Sequence, residues 1–334
     1  MKRALWTLLW VGAVALAGCS PKGDNPTPPT SQPAPSAPTP PSTAAGGDNG
    51  KKYTIGMSQC NLGEPWRVQM NADIKAAADA HPNITMVWRD AQNKSETQQS
   101  QVQEFIQQKV DLLIISPKES RPLTKPVADA MDAGIPVIVL DRAIEGDKYT
   151  CFIGGDNVKI GRELGKYMVQ ALGGKGNVVE LKGLMTSVPA EDRHNGFMDG
   201  IKGSNIKIIF DADCQWLEPN AQNEMKSALS RFPQIDAVYG HNDPSAHGAY
   251  MAARQEGKGR EKTIKFFGID GLPTEGQRYV KDGLLTATFQ YPTGGQEAID
   301  TALKILNGEK PEKKITLGTR IFTKDNVAKG GDPL

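Results

Sequence analysis

Short apolar segments alternate with helical patterns along most of this 334-residue chain, and this alternation is the strongest constraint on its fold. The segments lack regular polar alternation, which is typical of strands covered on both faces of a parallel sheet. Helical stripes, such as Met70, Ile74, Ala77 and Ala78, lie between them. We therefore predict an α/β fold of doubly wound parallel sheets. The predicted strands are 53–57, 84–88, 112–115, 137–140, 178–181, 206–210, 237–239, 264–269 and 285–289.

The globular part of the chain begins at Lys51 and is long for one hydrophobic core, so we predict two lobes. The formal net charge of +1 disfavours nucleic acid or an acidic membrane surface as a partner. The four histidines show no metal-ligand spacing with cysteine or carboxylate, and no phosphate-binding motif is complete. We therefore expect neither a metal nor a cofactor.

The first twenty residues have the pattern of a secretory signal. Lys2 and Arg3 precede an apolar run over 4–17 that is too short for a membrane span. The end of this run, Leu16-Ala17-Gly18-Cys19, resembles the lipobox of bacterial lipoproteins, which implies cleavage before Cys19 and lipidation of Cys19. The alternative is an ordinary signal peptide with an incidental cysteine. We predict a signal peptide over 1–18 and an extracytoplasmic lipoprotein, in the periplasm or on the outer face of the cell membrane.

Residues 19–50 are predicted to form a linker. After Cys19 they are nearly all Pro, Ser, Thr, Ala, Gly and Asn, with no hydrophobic periodicity. Such a composition does not bury enough apolar surface to offset the entropy of ordering, and repeated proline favours extended polyproline II. We predict a disordered, Pro-rich spacer that holds the globular part away from a membrane.

Polar residues follow the predicted strands in both halves of the globular part. Asp141 and Arg142 follow the fourth strand, and Asn242, Asp270 and Gln290 follow later ones. Ligands of open α/β sheets bind at the carboxyl ends of the strands. These positions therefore predict one cleft shared by two lobes.

Two local expectations concern the second half of the chain. Residues 185–192 are predicted to form a loop after the fifth strand. Asn242 is expected to face the ligand, and Asp243 to cap or support the helix that follows.

The candidate site residues combine arginines, carboxylates, amides and tryptophans, without a compact catalytic grouping. A sugar suits this mixture, because each hydroxyl donates and accepts hydrogen bonds and the apolar ring face packs on an aromatic plane. An anionic ligand would require surplus arginine. The candidates are Trp66, Arg67, Asp141, Arg142, Arg193, Trp216, Asn242, Asp270 and Gln290.

From Lys51 to its C-terminus the chain resembles bacterial periplasmic sugar-binding proteins of the ribose and galactofuranose type, the type I substrate-binding proteins of ABC importers. Each matching segment is weak alone, and their order over most of the globular chain makes the set specific. The segments are Glu64-Pro65-Trp66-Arg67, Val139-Leu140-Asp141-Arg142, Gly155-Asp156-Asn157, Asp192-Arg193-His194-Asn195-Gly196-Phe197, His241-Asn242-Asp243, Gly268-Ile269-Asp270-Gly271 and Phe289-Gln290-Tyr291-Pro292.

The resemblance implies a non-enzymatic protein that captures a monosaccharide, a pentose or hexose in pyranose or furanose form, and delivers it to an ABC permease. It implies aromatic stacking at Trp66 and Trp216, and hydroxyl binding by the remaining candidates. Arg67 stands where ribose binders often carry phenylalanine, which disfavours ribose itself. The resemblance also implies a three-stranded hinge, with lobe 1 at 51–155 and 291–318, and lobe 2 at 156–290 and 319–334. We expect a monomer.

Other functions stay open at this stage. The same fold serves sensors that present a bound sugar or autoinducer-2 to a membrane receptor. A secreted carbohydrate-active enzyme would need two carboxylates about a glycosidic bond, and Cys60 with His241 would be a candidate thiol nucleophile. A transcriptional regulator is disfavoured, because a lipobox and linker stand where a DNA-binding headpiece would be. Cys60, Cys151 and Cys214 leave at least one thiol free in a monomer, and whether two of them pair is open.

Overall fold

The computed structural model describes residues 50–334. The predicted signal peptide, most of the predicted linker and Cys19 lie outside the described residues. No helix within 50–334 is long and apolar enough to span a membrane. The helices are α1 (Pro65–Asp79), α2 (Ser95–Gln108), α3 (Ser120–Asp132), α4 (Asn157–Ala171), α5 (Val188–Ile201), α6 (Glu218–Arg231), α7 (Asp243–Gln255), α8 (Gly276–Lys281) and α9 (Gly295–Leu306).

Two separate sheets divide this part of the chain into two lobes, as predicted. The first sheet has the order β11-β5-β4-β3-β1-β2, with all neighbours parallel. Its central strands are buried throughout, which is why they read as unbroken apolar runs. The strands are β1 (Tyr53–Gln59), β2 (Ile84–Asp90), β3 (Leu112–Ser116), β4 (Val137–Leu140), β5 (Cys151–Gly155) and β11 (Lys314–Leu317).

The second sheet repeats this topology. Its order is β13-β12-β10-β9-β8-β6-β7, parallel from β10 to β7 and antiparallel where β12 pairs with β10 and β13. The chain thus passes between the sheets three times, after β5, β10 and β11. The strands are β6 (Lys175–Lys182), β7 (Asn205–Asp213), β8 (Ala237–Gly240), β9 (Lys265–Asp270), β10 (Ala287–Gln290), β12 (Arg320–Thr323) and β13 (Asp332–Pro333).

The described strands include all nine predicted ones and four that the prediction missed. Of these four, β5 reads Cys-Phe-Ile-Gly-Gly and ends in glycines, while β11 reads Lys-Ile-Thr-Leu at the edge of its sheet with two exposed residues. Neither has the buried apolar run by which the other strands were recognised. Among the described strands, β11 pairs only with β5, which lies far away in the chain, whereas β5 also pairs with β4, the strand before it.

Helices α4 and α5 of the second lobe approach each other unusually closely. A Cβ on Gly196 would lie 2.2 Å from the carbonyl oxygen of Val158, and one on Gly161 would lie 2.3 Å from that of Arg193. Only glycine fits at such contacts. Because α5 carries Arg193, this packing fixes one face of the helix that supplies a site residue.

Candidate ligand-binding site

A cavity lies between the two lobes at the carboxyl ends of their strands. It holds about 280 Å³ of atom-free space, part of it open to solvent. Eight of the nine candidate residues line it, with three that were not predicted. The lining residues are Glu64, Trp66, Arg67, Asp141, Arg142, Pro189, Arg193, Trp216, Asn242, Asp270 and Tyr291.

Gln290 is the candidate that does not line this cavity. It lies at the end of β10, borders a neighbouring crevice with Tyr291 and Asp270, and accepts a hydrogen bond from Thr319 through its backbone oxygen. The structure thus places Gln290 beside the chain crossing between the lobes rather than on the cavity wall.

Arg67 is the most extensively hydrogen-bonded residue of the first-lobe wall. This wall is the part of the cavity lining formed by Glu64, Trp66, Arg67, Asp141, Arg142 and Tyr291. Its Nη1 donates to Gln59 Oε1 (3.0 Å) and Ser116 Oγ (2.9 Å), its Nη2 to Asp141 Oδ2 (3.0 Å) and its Nε to Glu64 Oε1 (3.2 Å). Burial alone would lower the pKa of this guanidinium, but nearby anionic groups, Glu64 and Asp141 among them, raise it. All three nitrogens are therefore bonded to protein, so Arg67 orders the wall.

The Asp141-Arg142 pair leaves hydrogen-bonding atoms unused. Asp141 accepts through Oδ2, from Arg67 and Ser116, and Arg142 donates through Nη1 to the Lys118 carbonyl at 2.9 Å. The contacts of Arg142 Nε and Nη2 with Asp141 and Glu64 are 3.9 Å long, beyond hydrogen-bond distance. One carboxylate oxygen and two guanidinium nitrogens are therefore free of hydrogen bonds to described residues.

In the second-lobe wall, Arg193 is held by two hydrogen bonds. This wall is the part of the cavity lining formed by Pro189, Arg193, Trp216, Asn242 and Asp270. Its Nε donates to Asn157 Oδ1 at 2.9 Å and its Nη1 donates to the His241 carbonyl, which leaves Nη2 without a bond to the described residues. Asp270 has no hydrogen-bond donor there, and its closest cationic atom is Arg193 Nη1 at 3.8 Å. Burial raises the pKa of the Asp270 carboxyl well above its ordinary value. A hydroxyl group that entered the cavity and donated a hydrogen bond to Asp270 would offset the cost of burying this carboxylate.

Two tryptophans supply flat apolar surfaces. Trp66 donates from Nε1 to the Tyr291 carbonyl at 2.8 Å, and its ring centroid lies 5.3 Å from that of Tyr291. The Trp216 ring has the guanidinium carbons of Arg142 and Arg193 at 5.5 and 5.3 Å from its centroid, while its buried Nε1 has no partner among the described residues. These contacts fix the Trp216 plane and leave a donor unused.

Three residues of the cavity wall have positive φ angles. Asp141 has φ +71°, Trp216 +70° and Asp270 +126°. Such conformations cost roughly 1–3 kcal/mol for residues other than glycine and cluster at functional sites. A buried carboxylate supports the Asp270 turn, because Asp243 accepts from Gly271 N (2.7 Å) and Thr288 Oγ1 (2.6 Å).

The lobes also contact each other beyond the cavity wall. Glu119, in the loop after β3, accepts a hydrogen bond from Thr186 Oγ1, in the loop after β6, at 2.8 Å. Ser95 Oγ donates to the other oxygen of Glu119 at 2.6 Å. With Arg142 on the Trp216 ring, this bond is a second contact between the two lobes.

The structure corrects two predictions about the second-lobe residues. The predicted loop over 185–192 ends earlier, because α5 begins at Val188, so Arg193 lies on a helix. Asn242, rather than Asp243, caps α7: its Oδ1 accepts from Ser245 N at 3.0 Å while its Nδ2 donates to the Trp216 carbonyl. Both helices begin with proline in the first turn, a signal that the sequence offered.

Sequence reasoning missed Glu64, Pro189 and Tyr291 as lining residues. Glu64 and Tyr291 belong to recognised segments, and Glu64 follows β1 directly before the first helix, so position alone would have found it. Tyr291 follows Gln290, and it donates from its hydroxyl to the Asp141 carbonyl at 3.2 Å. No signal in the sequence pointed to Pro189.

The thiol-nucleophile hypothesis has no support in this geometry. Burial raises the pKa of the Cys60 thiol, whereas a nucleophile requires a lowered one. His241 Nε2 is bonded to Glu180 at 3.0 Å. Cys60, Cys151 and Cys214 are all free and buried, and no group of three metal-ligating side chains occurs within residues 50–334.

Comparison with known proteins agrees with this fold. A periplasmic binding protein domain model matches residues 55–310. The ribose import binding protein of Bacillus subtilis (strain 168) is 31% identical over 277 residues, covering 82% of this chain and 88% of the relative. The galactofuranose-binding protein of Escherichia coli (strain K12) is 32% identical over 284 residues, covering 82% and 89%.

A solved structure extends the comparison to three dimensions. The fructose-binding periplasmic domain of a hybrid two-component system has a TM-score of 0.80 and 43% sequence identity, covering 83% of this chain and 93% of that one. The family resemblance seen in the sequence is thereby confirmed. The chain belongs to the periplasmic binding protein family.

Proposed function

We propose that this protein captures a monosaccharide in the cavity between its lobes and delivers it to an ABC permease. The observation that carries the proposal is the set of polar atoms on the cavity wall that the protein leaves without hydrogen bonds. Acceptors on Asp141 and Asp270 stand with donors on Arg142 and Arg193. A ligand that both donates and accepts meets this set, and sugar hydroxyls do so.

The charges of the wall favour a neutral ligand. Its buried arginines, Arg67, Arg142 and Arg193, are matched by three carboxylates, Glu64, Asp141 and Asp270. An anionic ligand would leave unpaired negative charge in a buried site. The tryptophans add apolar planes for a ring face, at positions consistent with stacking. We therefore propose a pentose or hexose, with the eight cavity residues and, beside them, Gln290 as ligand-binding residues.

The proposal includes the division and motion of the lobes. We place lobe 1 at 51–155 and 291–318 and lobe 2 at 156–290 and 319–334, which follows the three passages of the chain between the sheets. A ligand that contacts both lobes stabilises their closed arrangement. The named ligands of the relatives, ribose and galactofuranose, support sugar capture, and the second supports a furanose form.

A panel of D-ribose, L-arabinose, D-fructose and D-galactose tests the proposed function. We expect at least one of them to raise the melting temperature and to bind with a Kd in the micromolar range or below in calorimetry. Sulfate and acetate serve as anionic controls and are expected to bind no more than weakly. Binding of the anions without any sugar would contradict the proposal.

A second candidate is a sensor that presents its liganded form to a membrane receptor. It is favoured by the 43% identity to the fructose-binding domain of a hybrid two-component system. Deletion of the gene separates the two candidates: loss of uptake of the radiolabelled sugar supports transport, whereas normal uptake with a lost transcriptional response supports sensing.

We also propose membrane anchoring through a lipid on Cys19, with 1–18 removed and 19–50 as the spacer. The supporting observation is the lipobox-like Leu16-Ala17-Gly18-Cys19. Cys19→Ser is expected to move the protein from the membrane fraction to the soluble extracytoplasmic fraction, because no acyl chain would be attached. Fractionation with immunoblotting measures this, and an unchanged membrane fraction would contradict the anchor.

A further inference from the structure

Glu180 is a fully buried carboxylate that the cavity wall does not include. It lies near the end of β6, and no surface of its side chain is exposed. Its Oε1 lies 2.9 Å from His194 Nδ1 and 3.0 Å from His241 Nε2. One acid thus joins two imidazoles from different elements.

Each of the two histidines is the chain neighbour of a proposed ligand-binding residue. His194 follows Arg193 on α5, and His241 precedes Asn242, the cap of α7. The His241 carbonyl also accepts the Nη1 bond of Arg193. Glu180 therefore connects the helix that carries Arg193 to the turn that carries Asn242.

The charge state of this group is set by its surroundings. Burial would raise the pKa of Glu180, but hydrogen bonds from His194 and His241 hold it at about 2, so the carboxylate is ionised. Burial lowers the pKa of His241 below its ordinary value. A neutral His241 that donates from Nε2 leaves Nδ1 as a bare acceptor, which fits the absence of any partner for Nδ1 among the described residues.

We infer that Glu180 is a positioning residue, which acts through His194 and His241 to hold Arg193 and Asn242 in the orientation that the ligand meets. This inference rests on the proposed function, since ligand contact by Arg193 and Asn242 is part of that proposal. A residue that supports only the core would affect stability without a specific effect on Arg193.

A double-mutant cycle separates these roles. Glu180→Ala is expected to weaken the tightest-binding sugar of the panel above at least about tenfold in calorimetry. In an Arg193→Lys background the same substitution is expected to weaken it less than about threefold, because the group that Glu180 positions is already lost. Equal losses in the two backgrounds would overturn the inference.

His247→Ala is the matched control, because it breaks a similar bond in the same lobe. His247 Nδ1 lies 2.8 Å from Glu218 Oε1, and neither residue lines the cavity. His194→Ala is expected to weaken binding several-fold and His247→Ala to leave it unchanged. If Glu180→Ala does not fold, Glu180→Gln takes its place in the cycle, and equal affinity losses in His194→Ala and His247→Ala would overturn the inference.

A ligand-free measurement keeps this inference distinct from the proposed function. Nitrogen-15 spectra of the imidazoles at pH 7 are expected to show His241 as the neutral Nε2–H tautomer, and Glu180→Gln is expected to shift the Arg193 Nε–H resonance. The opposite tautomer, or an unmoved Arg193 signal, would overturn the inference. Failure of every sugar in the panel, with these spectra as expected, would instead count against the proposed function alone.

Discussion

The two walls of the cavity are built in opposite ways. In the first-lobe wall, Arg67 donates to four protein groups and orders Asp141 before any ligand arrives. In the second-lobe wall, Asp270 and the Trp216 nitrogen have no hydrogen bonds within the described residues. Arg67 in the first wall is therefore bonded to protein through all three of its nitrogens, and the unused hydrogen-bonding atoms of that wall lie on Asp141 and Arg142. In the second wall, neither the Asp270 carboxylate nor Arg193 Nη2 is hydrogen-bonded to residues 50–334, and both keep hydrogen-bonding capacity for a ligand. In our interpretation, a ligand docks on the ordered wall and completes the other.

Removal of Arg67 breaks the ordered wall and is expected to have the largest effect. Arg67→Ala would leave Glu64 and Asp141 buried without their cation, so we expect a loss of about 3–5 kcal/mol in the free energy of unfolding. Urea denaturation measures it. Arg89→Ala is the control, because its pair with Glu104 is partly exposed and screened by solvent, so we expect a much smaller loss of stability. Equal losses in the two variants would contradict the ordered-wall interpretation.

Arg142 distinguishes binding from stability within the first lobe. Because its Nε and Nη2 lack protein hydrogen bonds, Arg142→Ala is expected to weaken sugar binding by at least ~2 kcal/mol, about thirtyfold, while the fold stays intact. Calorimetry gives the affinity, and Arg254→Ala, an exposed arginine on α7, is the control. Unchanged affinity would remove Arg142 from the site.

Asp270→Asn, in the second-lobe wall, is expected to lower the affinity for the sugar and to raise the stability of the protein. The amide removes a buried carboxylate that lacks a donor, so the free energy of unfolding should rise by about 1 kcal/mol while affinity falls about tenfold. Thermal denaturation and calorimetry on the same sample measure both quantities. Asp282→Asn, at an exposed position, is the control. A loss of stability would indicate that the protein itself satisfies Asp270.

The support behind Asp270 should respond to pH. Burial raises the pKa of Asp243 to about 7, against an ordinary 3.8, so between these values the folded state holds a proton that the unfolded state has released. Stability from this group is therefore lost as pH rises from about 4 to 7, on the order of 1 kcal/mol per pH unit. Asp243→Asn should remove this part of the slope in urea denaturation at several pH values. An identical slope in the variant would contradict it.

The sequence predicted the sheets and most of the cavity because both depend on local patterns. Buried strands such as Leu112–Ser116 are apolar at every position but the last, and the residues that follow strands converge by the geometry of parallel sheets. It did not predict β5 or β11, because neither has a fully buried apolar run. Nor did it predict that all three side-chain nitrogens of Arg67 would donate to protein groups, or that Asn242 would cap its helix, because those depend on side-chain distances that only the folded chain sets.

The unusual backbone at Asp141, Trp216 and Asp270 bears on efforts to engineer this site for other sugars. At these three positions a β-branched replacement would strain the backbone, in addition to any change that it made in sugar binding. Mutant libraries aimed at altered sugar selectivity are better directed at Trp66 and Arg193. Both lie on regular helices, where a new side chain changes the contacts with the ligand without distorting the backbone.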